Sequence, residues 1–277
     1  MFSMQGKCVV VTGGGRGIGR GISRAMAKAG ASVVVTGRTP EPLAAVVEEI
    51  RAAGGKAVDI AGDIRSLAQI NAIVAKATDA FGYIDCWVNN AGNADLADVG
   101  PLLDLSEEQY DRVVDLNMKW AFFAAQAAAR AMTRGGSIIN ISSRSGSQPC
   151  PMTGQYGAAK AGIENLTATM AVEWGHKNIR VNAVAPGVVL TETPEKAGMT
   201  NPERIRRQIA TVPMRRLGNV DDVAYLCVYF AADESQWVTG QVVQVTGGSR
   251  IPLALLSYLK KVDKEMEQTE GSRKSAA

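Results

Sequence analysis

Histidine is nearly absent, at one in 277 residues. That residue, His176, lies in a polar stretch before Lys177 and Asn178, which excludes a histidine-built metal site and a Ser-His-Asp triad. No metal ligand set is expected. Cysteine is scarce too: Cys8, Cys86, Cys150 and Cys227 are widely separated, with no Cys-x-x-Cys pair. They read as reduced, mostly buried thiols of a cytoplasmic protein. No stretch of ~20 apolar residues is available to cross a membrane, and no secretion signal is evident in the first residues. Charge of one sign is also missing. The 30 basic and 27 acidic side chains leave a net +3, spread along the chain, so nucleic acid is not an expected partner. Linkers, repeats and low-complexity tracts are lacking before the tail. What remains is 46% hydrophobic and 21% charged, the balance of a well-cored globular chain.

Within that chain, strand and helix patterns alternate. Cys8–Thr12 is a β-branched run continuous enough to be a strand buried on both faces. Ile18, Ile22, Ala25, Met26 and Ala29 then recur at helical spacing until Gly30. Further strands are expected at Ser32–Thr36, Ala57–Ala61, Tyr83–Asn89, Ser137–Ile141, Ile179–Ala185 and Gln241–Val245. Helices are expected over about 41–53, from an N-cap at Ser66 to Phe81, over about 106–132, and over 154–175. Such alternation forces a parallel sheet with right-handed crossovers. The expected class is α/β, a doubly wound seven-stranded parallel sheet with helices on both faces, as one domain over residues 1–251. The ligand crevice then lies at the carboxyl ends of the strands, where Asn90, Ser142–Ser143 and Pro186-Gly187 fall.

The chemistry concentrates at Tyr156 and Lys160. Their i, i+4 spacing puts both side chains on one face of a helix. A lysine ammonium beside a phenol favours the phenolate and is expected to lower a pKa otherwise near 10. A phenol so tuned can exchange a proton with an alcohol or carbonyl oxygen. Ser143 lies thirteen residues upstream, although it or Ser142 could instead satisfy strand-end backbone groups. Asn117 sits inside an expected helix, where asparagine costs ~0.6 kcal/mol against alanine. A buried polar residue there needs a reason. At the N-terminus, Thr12-Gly13-Gly14-Gly15-Arg16-Gly17-Ile18-Gly19 joins the first strand to the first helix. Its glycines permit a tight turn and close approach, and the helix N–H groups attract a pyrophosphate.

The spacing Gly13-x3-Gly17-x-Gly19, with Asn89-Asn90-Ala91-Gly92, Asn117, Ser143, Tyr156, Lys160 and Pro186-Gly187, resembles the short-chain dehydrogenase/reductase family over about residues 5–250. The resemblance implies an NAD(P)-dependent oxidoreductase on one Rossmann-like domain, acting on a small carbonyl or alcohol substrate. It implies Tyr156 as the acid/base, Ser143 as the hydroxyl orienting the substrate oxygen, Lys160 on the nicotinamide ribose, and Asn117 holding a water of the proton relay. It also sets the coenzyme against Gly13, Arg16, Gly17, Ile18 and Gly19. Asp63, Ile64 and Asn90 would border the adenine, and Ala91, Gly92, Pro186, Gly187, Val189 and Thr191 complete the site, with Thr191 contacting the carboxamide.

Coenzyme choice turns on the end of the second strand, Val35-Thr36-Gly37-Arg38-Thr39, which carries no acidic residue before Glu41. Arg38, aided by Thr39 and Arg16, suits a 2′-phosphate, so NADP is expected over NAD. The substrate pocket is expected along Asn93–Leu96, Arg144–Met152, Gln155 and Val188, under a lid of Glu192–Pro213. Arg144 reads equally as a carboxylate binder or a solvent-facing residue. A 3-oxoacyl-thioester substrate would call for a basic mouth built from Arg130, Arg134 and Lys177. A dinucleotide-sensing module without chemistry would need the glycine loop but not the Asn117/Ser143/Tyr156/Lys160 set. Alanine-rich surfaces at Ala121–Ala131 and at Ala158, Ala159, Ala161, Ala168 and Ala171 permit close helix packing. In the family such helices pair across a two-fold axis, which implies a homo-oligomer, tetramer or dimer. Residues 252–277 form an extension: Leu255, Leu259, Val262 and Met266 recur at helical spacing up to Gly271, and 272–277 are expected to be disordered.

Overall fold

Five consecutive buried residues, Cys8–Thr12, form β1. The other strands are β2 (Ser32–Gly37), β3 (Lys56–Ala61), β4 (Cys86–Asn89), β5 (Gly136–Ile141), β6 (Ile179–Pro186) and β7 (Val242–Val245). All pairings are parallel, in the order β3-β2-β1-β4-β5-β6-β7, the doubly wound sheet that the alternation predicts. The chain reverses direction across the sheet between β1 and β4, so the crevice opens at their carboxyl ends. This computed structural model describes residues 2–92, 95–192, 201–253 and 255–261.

The helices are α1 (Gly17–Lys28), α2 (Pro40–Ala52), α3 (Leu67–Phe81), α4 (Glu107–Val114), α5 (Trp120–Ala131), α6 (Gly154–Trp174), α7 (Pro202–Ala210) and α8 (Val220–Ala231). Alternate β1 side chains feed two cores, as the pleat requires. Val9 and Val11 pack with Ile22, Met26, Leu43, Val47 and Phe230 beneath α1, α2 and α8. Cys8 and Val10 pack with Ile70, Ile73, Trp87, Ala124 and Ala128 beneath α3 and α5. Each buried Val, Ile, Leu, Met or Phe among them contributes ~1.5–3 kcal/mol relative to exposure. Burial raises the Cys8 and Cys86 thiols to about 12, so they behave as inert core residues.

Three differences from the sequence reading have physical causes. First, α8 was not anticipated. Its Val-Ala-Tyr-Leu-Cys-Val-Tyr-Phe-Ala run is apolar on nearly every face, and such a run shows no period. Its readable signal was the capping box, in which the Asn219 side chain accepts from Asp222 N and Asp222 accepts from Asn219 N. Second, the helix expected over 106–132 is broken by a π turn at Asp115–Lys119, where Trp120 N–H donates to the Asp115 carbonyl five residues back. Third, Tyr83 precedes β4 rather than opening it. Its hydroxyl donates to Gly135 O at 2.6 Å and accepts from Arg134 N at 2.7 Å.

The alanine surfaces divide by face. Ala121, Ala124, Ala125, Ala128, Ala159 and Ala171 are buried in the core, whereas Ala158, Ala161 and Ala168 are exposed on the outer side of α6. In the extension, residues 253 and 255–261 are helical, and Leu259 is 49% exposed. Val262, Met266 and Gly271 lie outside the described residues, as do 272–277.

Candidate active site

Thr12, the last residue of β1, ties the two sides of the crevice together. Its hydroxyl donates to Val88 O at 3.1 Å and accepts from the backbone N–H of Asn90 at 3.0 Å and of Ala91 at 3.1 Å. The Asn90 amide donates to the carbonyls of Thr12 (2.9 Å) and Gly13 (3.2 Å). The glycine loop is therefore fixed to the β4 end, and Gly13, at φ 63°, leaves no room for a side chain: a Cβ there would lie 2.9 Å from Asn90 Nδ2.

From β4 a buried polar chain crosses the sheet. Trp87 Nε1 donates to Asn89 Oδ1 at 2.7 Å, Asn89 Nδ2 donates to Asn140 Oδ1 at 2.9 Å, and Asn140 Nδ2 donates to Thr167 Oγ1 at 2.9 Å. Asn89 thus serves structure. Asn140 and Thr167, which sequence reasoning missed, attach α6 to the sheet. A fully satisfied buried network of this kind fixes one arrangement.

That attachment sets the reactive group. Tyr156 and Lys160 project from the first turns of α6, and Ser143 follows β5. The Ser143 hydroxyl hydrogen-bonds the Tyr156 phenol and accepts from Ser145 N at 3.2 Å. Lys160 Nζ donates to Ile141 O at 2.9 Å and lies 5.5 Å from the centre of the Tyr156 ring. Asn117 is buried within the π turn, and its side-chain amide donates to Val113 O at 2.9 Å. Gly92 brings the loop after β4 to the same point, since a Cβ there would lie 2.5 Å from Asn117 Oδ1 and 3.4 Å from Lys160 Nζ. The four candidate catalytic residues therefore meet.

The electrostatics differ from the expectation that Lys160 lowers the phenol. Burial pushes the Tyr156 phenol up to about 12, against the opposing hydrogen bond with Ser143. Burial also pushes Lys160 down to about 8, with Glu164 opposing the shift. The Lys160 ammonium is engaged by the Ile141 carbonyl.

On the other side of the crevice, a cavity of about 280 Å³ is lined by Gly13, Arg16, Gly37, Arg38, Gly62, Asp63, Ile64, Arg65, Ala91, Gly92 and Leu116. The Asp63 carboxylate accepts from Arg65 Nη2 at 2.7 Å and from Arg65 N at 3.0 Å, which holds it below the usual carboxylate range. Arg65 was missed in the sequence and is neutralised there. Among the described residues, neither Arg16 nor Arg38 is in an ion pair. Thr39, exposed, precedes α2. Ile18 packs beside the α1 core. Gly17, at φ 55°, donates its N–H to Glu192 Oε1 at 2.7 Å, and a Cβ on it would lie 3.4 Å from Thr191 Cγ2. Beyond Pro186, Gly187 N–H donates to Val245 O at 2.9 Å and Val189 bridges to Gly218. This set fits a dinucleotide: a cradle of backbone that side chains would fill, N–H groups at a helix start, and two cations beside the far cavity.

Some expected site residues face elsewhere. Gln155 is buried and donates to Asp98 O at 2.6 Å, an anchor rather than a pocket wall. Arg144 is neither a carboxylate clamp nor solvent-facing: it is buried, with Nη1 donating to Ser249 Oγ at 2.8 Å. Arg130, Arg134 and Lys177 make no basic mouth, because each precedes its strand and so lies toward the amino ends, where Arg134 stacks on Tyr83. Asn93 and Ala94 lie outside the described residues, as does 193–200 of the expected lid. Two grooves of about 890 and 880 Å³ run along α1/α2 and across the amino ends of the strands. Neither contains Ser143, Tyr156 or Lys160. Among the described residues there is no cluster of metal-ligating side chains, and no helix is long and apolar enough to cross a membrane.

This arrangement has close counterparts. A family described as enoyl-(acyl carrier protein) reductase matches residues 13–250. An uncharacterized oxidoreductase of Methylorubrum extorquens is 39% identical over 251 residues, covering 90% of this chain and all of that one. A hydroxynaphthalene reductase-like protein of Metarhizium guizhouense is 38% identical over 259 residues, covering 89% of this chain and 96% of the relative. Among solved structures, a short-chain type dehydrogenase/reductase from Mycobacterium marinum superposes with a TM-score of 0.84 at 35% identity, covering 91% of this chain and 98% of that one. The chain belongs to the short-chain dehydrogenase/reductase family, and it is an oxidoreductase of that family, whose members use NAD(P).

Proposed function

We propose that the protein interconverts a ketone and a secondary alcohol with NADP(H), using Tyr156 as acid/base. The observation that carries this reading is the convergence of Ser143, Tyr156 and Lys160 beyond the carboxyl end of β5, with Lys160 Nζ bonded to Ile141 O and 5.5 Å from the Tyr156 ring. When bound, the nicotinamide supplies or accepts a hydride at the carbinol carbon. Ser143 orients the substrate oxygen through its hydroxyl. Tyr156 gives its proton to that oxygen in reduction and takes it back in oxidation. Lys160 holds the ribose hydroxyls and offsets the charge left on the phenol. Asn117 positions a water in the path by which the phenol is reprotonated. Gly13, Gly17 and Gly19 receive the pyrophosphate, and Arg38 with Arg16 takes the 2′-phosphate.

The test is a panel of ketones and secondary alcohols with NADPH, NADH and their oxidised forms, following absorbance of the reduced nicotinamide. Coenzyme binding without turnover on any substrate would favour the sensing module instead. The thioester reading loses its basic mouth, as Arg130, Arg134 and Lys177 lie toward the amino ends of the strands.

The pH dependence follows from the two shifts. Reduction needs a protonated phenol and a charged ammonium. With Tyr156 raised to about 12, the phenol stays neutral across the working range, while Lys160, lowered to about 8, loses its charge as pH rises through that value. The expected result is a kcat/KM for coenzyme that holds below pH ~8 and falls above it, since this parameter reports free-enzyme groups. A flat profile from pH 6 to 10 would remove Lys160 from the reaction.

Assembly belongs to the same proposal. β7 is an edge strand with Val242 and Val243 more than a third exposed, and the nearby Trp237 is 99% exposed. An apolar edge of this kind is normally covered. Light scattering should return a homo-oligomer, tetramer or dimer; a monomer at micromolar concentration would contradict it.

A further inference from the structure

Glu164 is absent from every role assigned above, yet it bridges the two elements that present the reactive group. It lies one helical turn beyond Lys160 on α6. Its carboxylate accepts a 2.6 Å hydrogen bond from Ser142, the residue before Ser143. The Ser142 hydroxyl also lies 3.5 Å from the Lys160 carbonyl. The carboxylate rests directly on Gly146 in the turn that follows Ser143, where a Cβ would lie 2.6 Å from Glu164 Oε1 and 2.8 Å from Cδ. One side chain thus bridges the strand end that presents Ser143 and the helix that presents Tyr156 and Lys160.

We propose that Glu164 is a positioning residue for this chemistry: its carboxylate ties the Ser143 turn to α6 and places a negative charge one helical turn from the buried Lys160 ammonium. The inference rests on the reading of Lys160 given above. The surrounding charges are engaged elsewhere. Arg144, on the same turn, is directed to Ser249; from the π turn, Lys119 and Asp115 pair with each other at 3.0 Å; from α4, Arg112 pairs with Asp98 at 2.8 Å. Glu164 acts on Lys160 in the direction that keeps the ammonium charged, against desolvation. Burial weakens the acidity of the Glu164 carboxyl, and the Ser142 hydroxyl and Lys160 oppose that. Loss of the Glu164 charge therefore lowers the pH at which Lys160 is neutralised.

The substitution Glu164→Gln separates charge from contact, because its amide oxygen still accepts from Ser142. Glu164→Ala removes both. NADPH affinity is followed by fluorescence from pH 6 to 9 in the full-length enzyme, alongside turnover, with Lys160→Ala as reference. The ratio of E164Q to wild-type affinity should fall with rising pH, and the alkaline limb should move about half to one unit toward acid, a difference of about two- to fivefold at pH 8 that approaches tenfold by pH 9 for the full unit. E164A should show the same shift and, in addition, a lower melting temperature and lower turnover at pH 6 than E164Q. If Lys160→Ala abolishes the wild-type limb while E164Q leaves it in place, Glu164 has no role beyond packing and the proposal fails. If Lys160→Ala leaves the limb unchanged, the assignment of Lys160 fails, and with it the ground for this inference.

Discussion

Tyr156→Phe should cut turnover by about 10²–10⁴-fold, the range for losing a positioned acid or base, while coenzyme affinity stays within about threefold. The ring is retained, so packing beside Lys160 and the geometry of the first turn of α6 survive; only the oxygen that hydrogen-bonds Ser143 is removed. Because the phenol is held neutral well above ordinary working pH, the loss should be deepest in the reductive direction, where it must deliver a proton. Steady-state kinetics and NADPH fluorescence titration check both parts. Coenzyme affinity that collapses with activity, or turnover within tenfold of wild type, would refute the assignment.

Replacing Arg38 by aspartate should reverse coenzyme preference. A charge-assisted hydrogen bond is worth ~1.5–3 kcal/mol, and aspartate adds repulsion, so kcat/KM with NADP should fall about 10²–10³-fold. The value with NAD should change by less than about tenfold. Arg65 cannot substitute, because Asp63 already accepts its guanidinium. Arg16 remains, which keeps the residual NADP activity above zero. Equal losses with both coenzymes, or a wild-type enzyme that prefers NAD, would show that the end of β2 does not read the phosphate.

The strands were legible because a parallel sheet buried on both faces demands continuous β-branched runs, and Cys8–Thr12 and Ser32–Gly37 supply them. Ser143, Tyr156 and Lys160 were legible as candidates because they follow β5 at a thirteen-residue and then an i, i+4 offset. What escaped depends on side-chain direction or on cancelled periodicity. Helix α8 is apolar nearly all round, so no face stood out. Arg144 and Gln155 were placed in the pocket by position, but each turns inward to a buried oxygen. The Tyr156 phenol is raised where a lowering was expected, because sequence spacing says which residues are neighbours and not how deeply the phenol is buried. Arg65, Asn140 and Thr167 had no motif to mark them; a buried polar residue within a strand, as at Asn140, was the available hint.

The π turn at Asp115–Lys119 has a genetic corollary. A π turn is equivalent to one residue inserted into a continuous helix. Deleting a single residue there would heal the ladder into an uninterrupted helix, and the local backbone would gain by it. The same deletion would rotate everything on one side by about 100° relative to the other. Either Asn117 would swing away from Gly92 and Lys160, or the buried face of α5 carrying Ala121, Ala124 and Ala128 would leave the core. Point substitutions can explore this segment one side chain at a time, but changes of length cannot, so alignments of related enzymes should hold this stretch free of gaps even where its residue types vary.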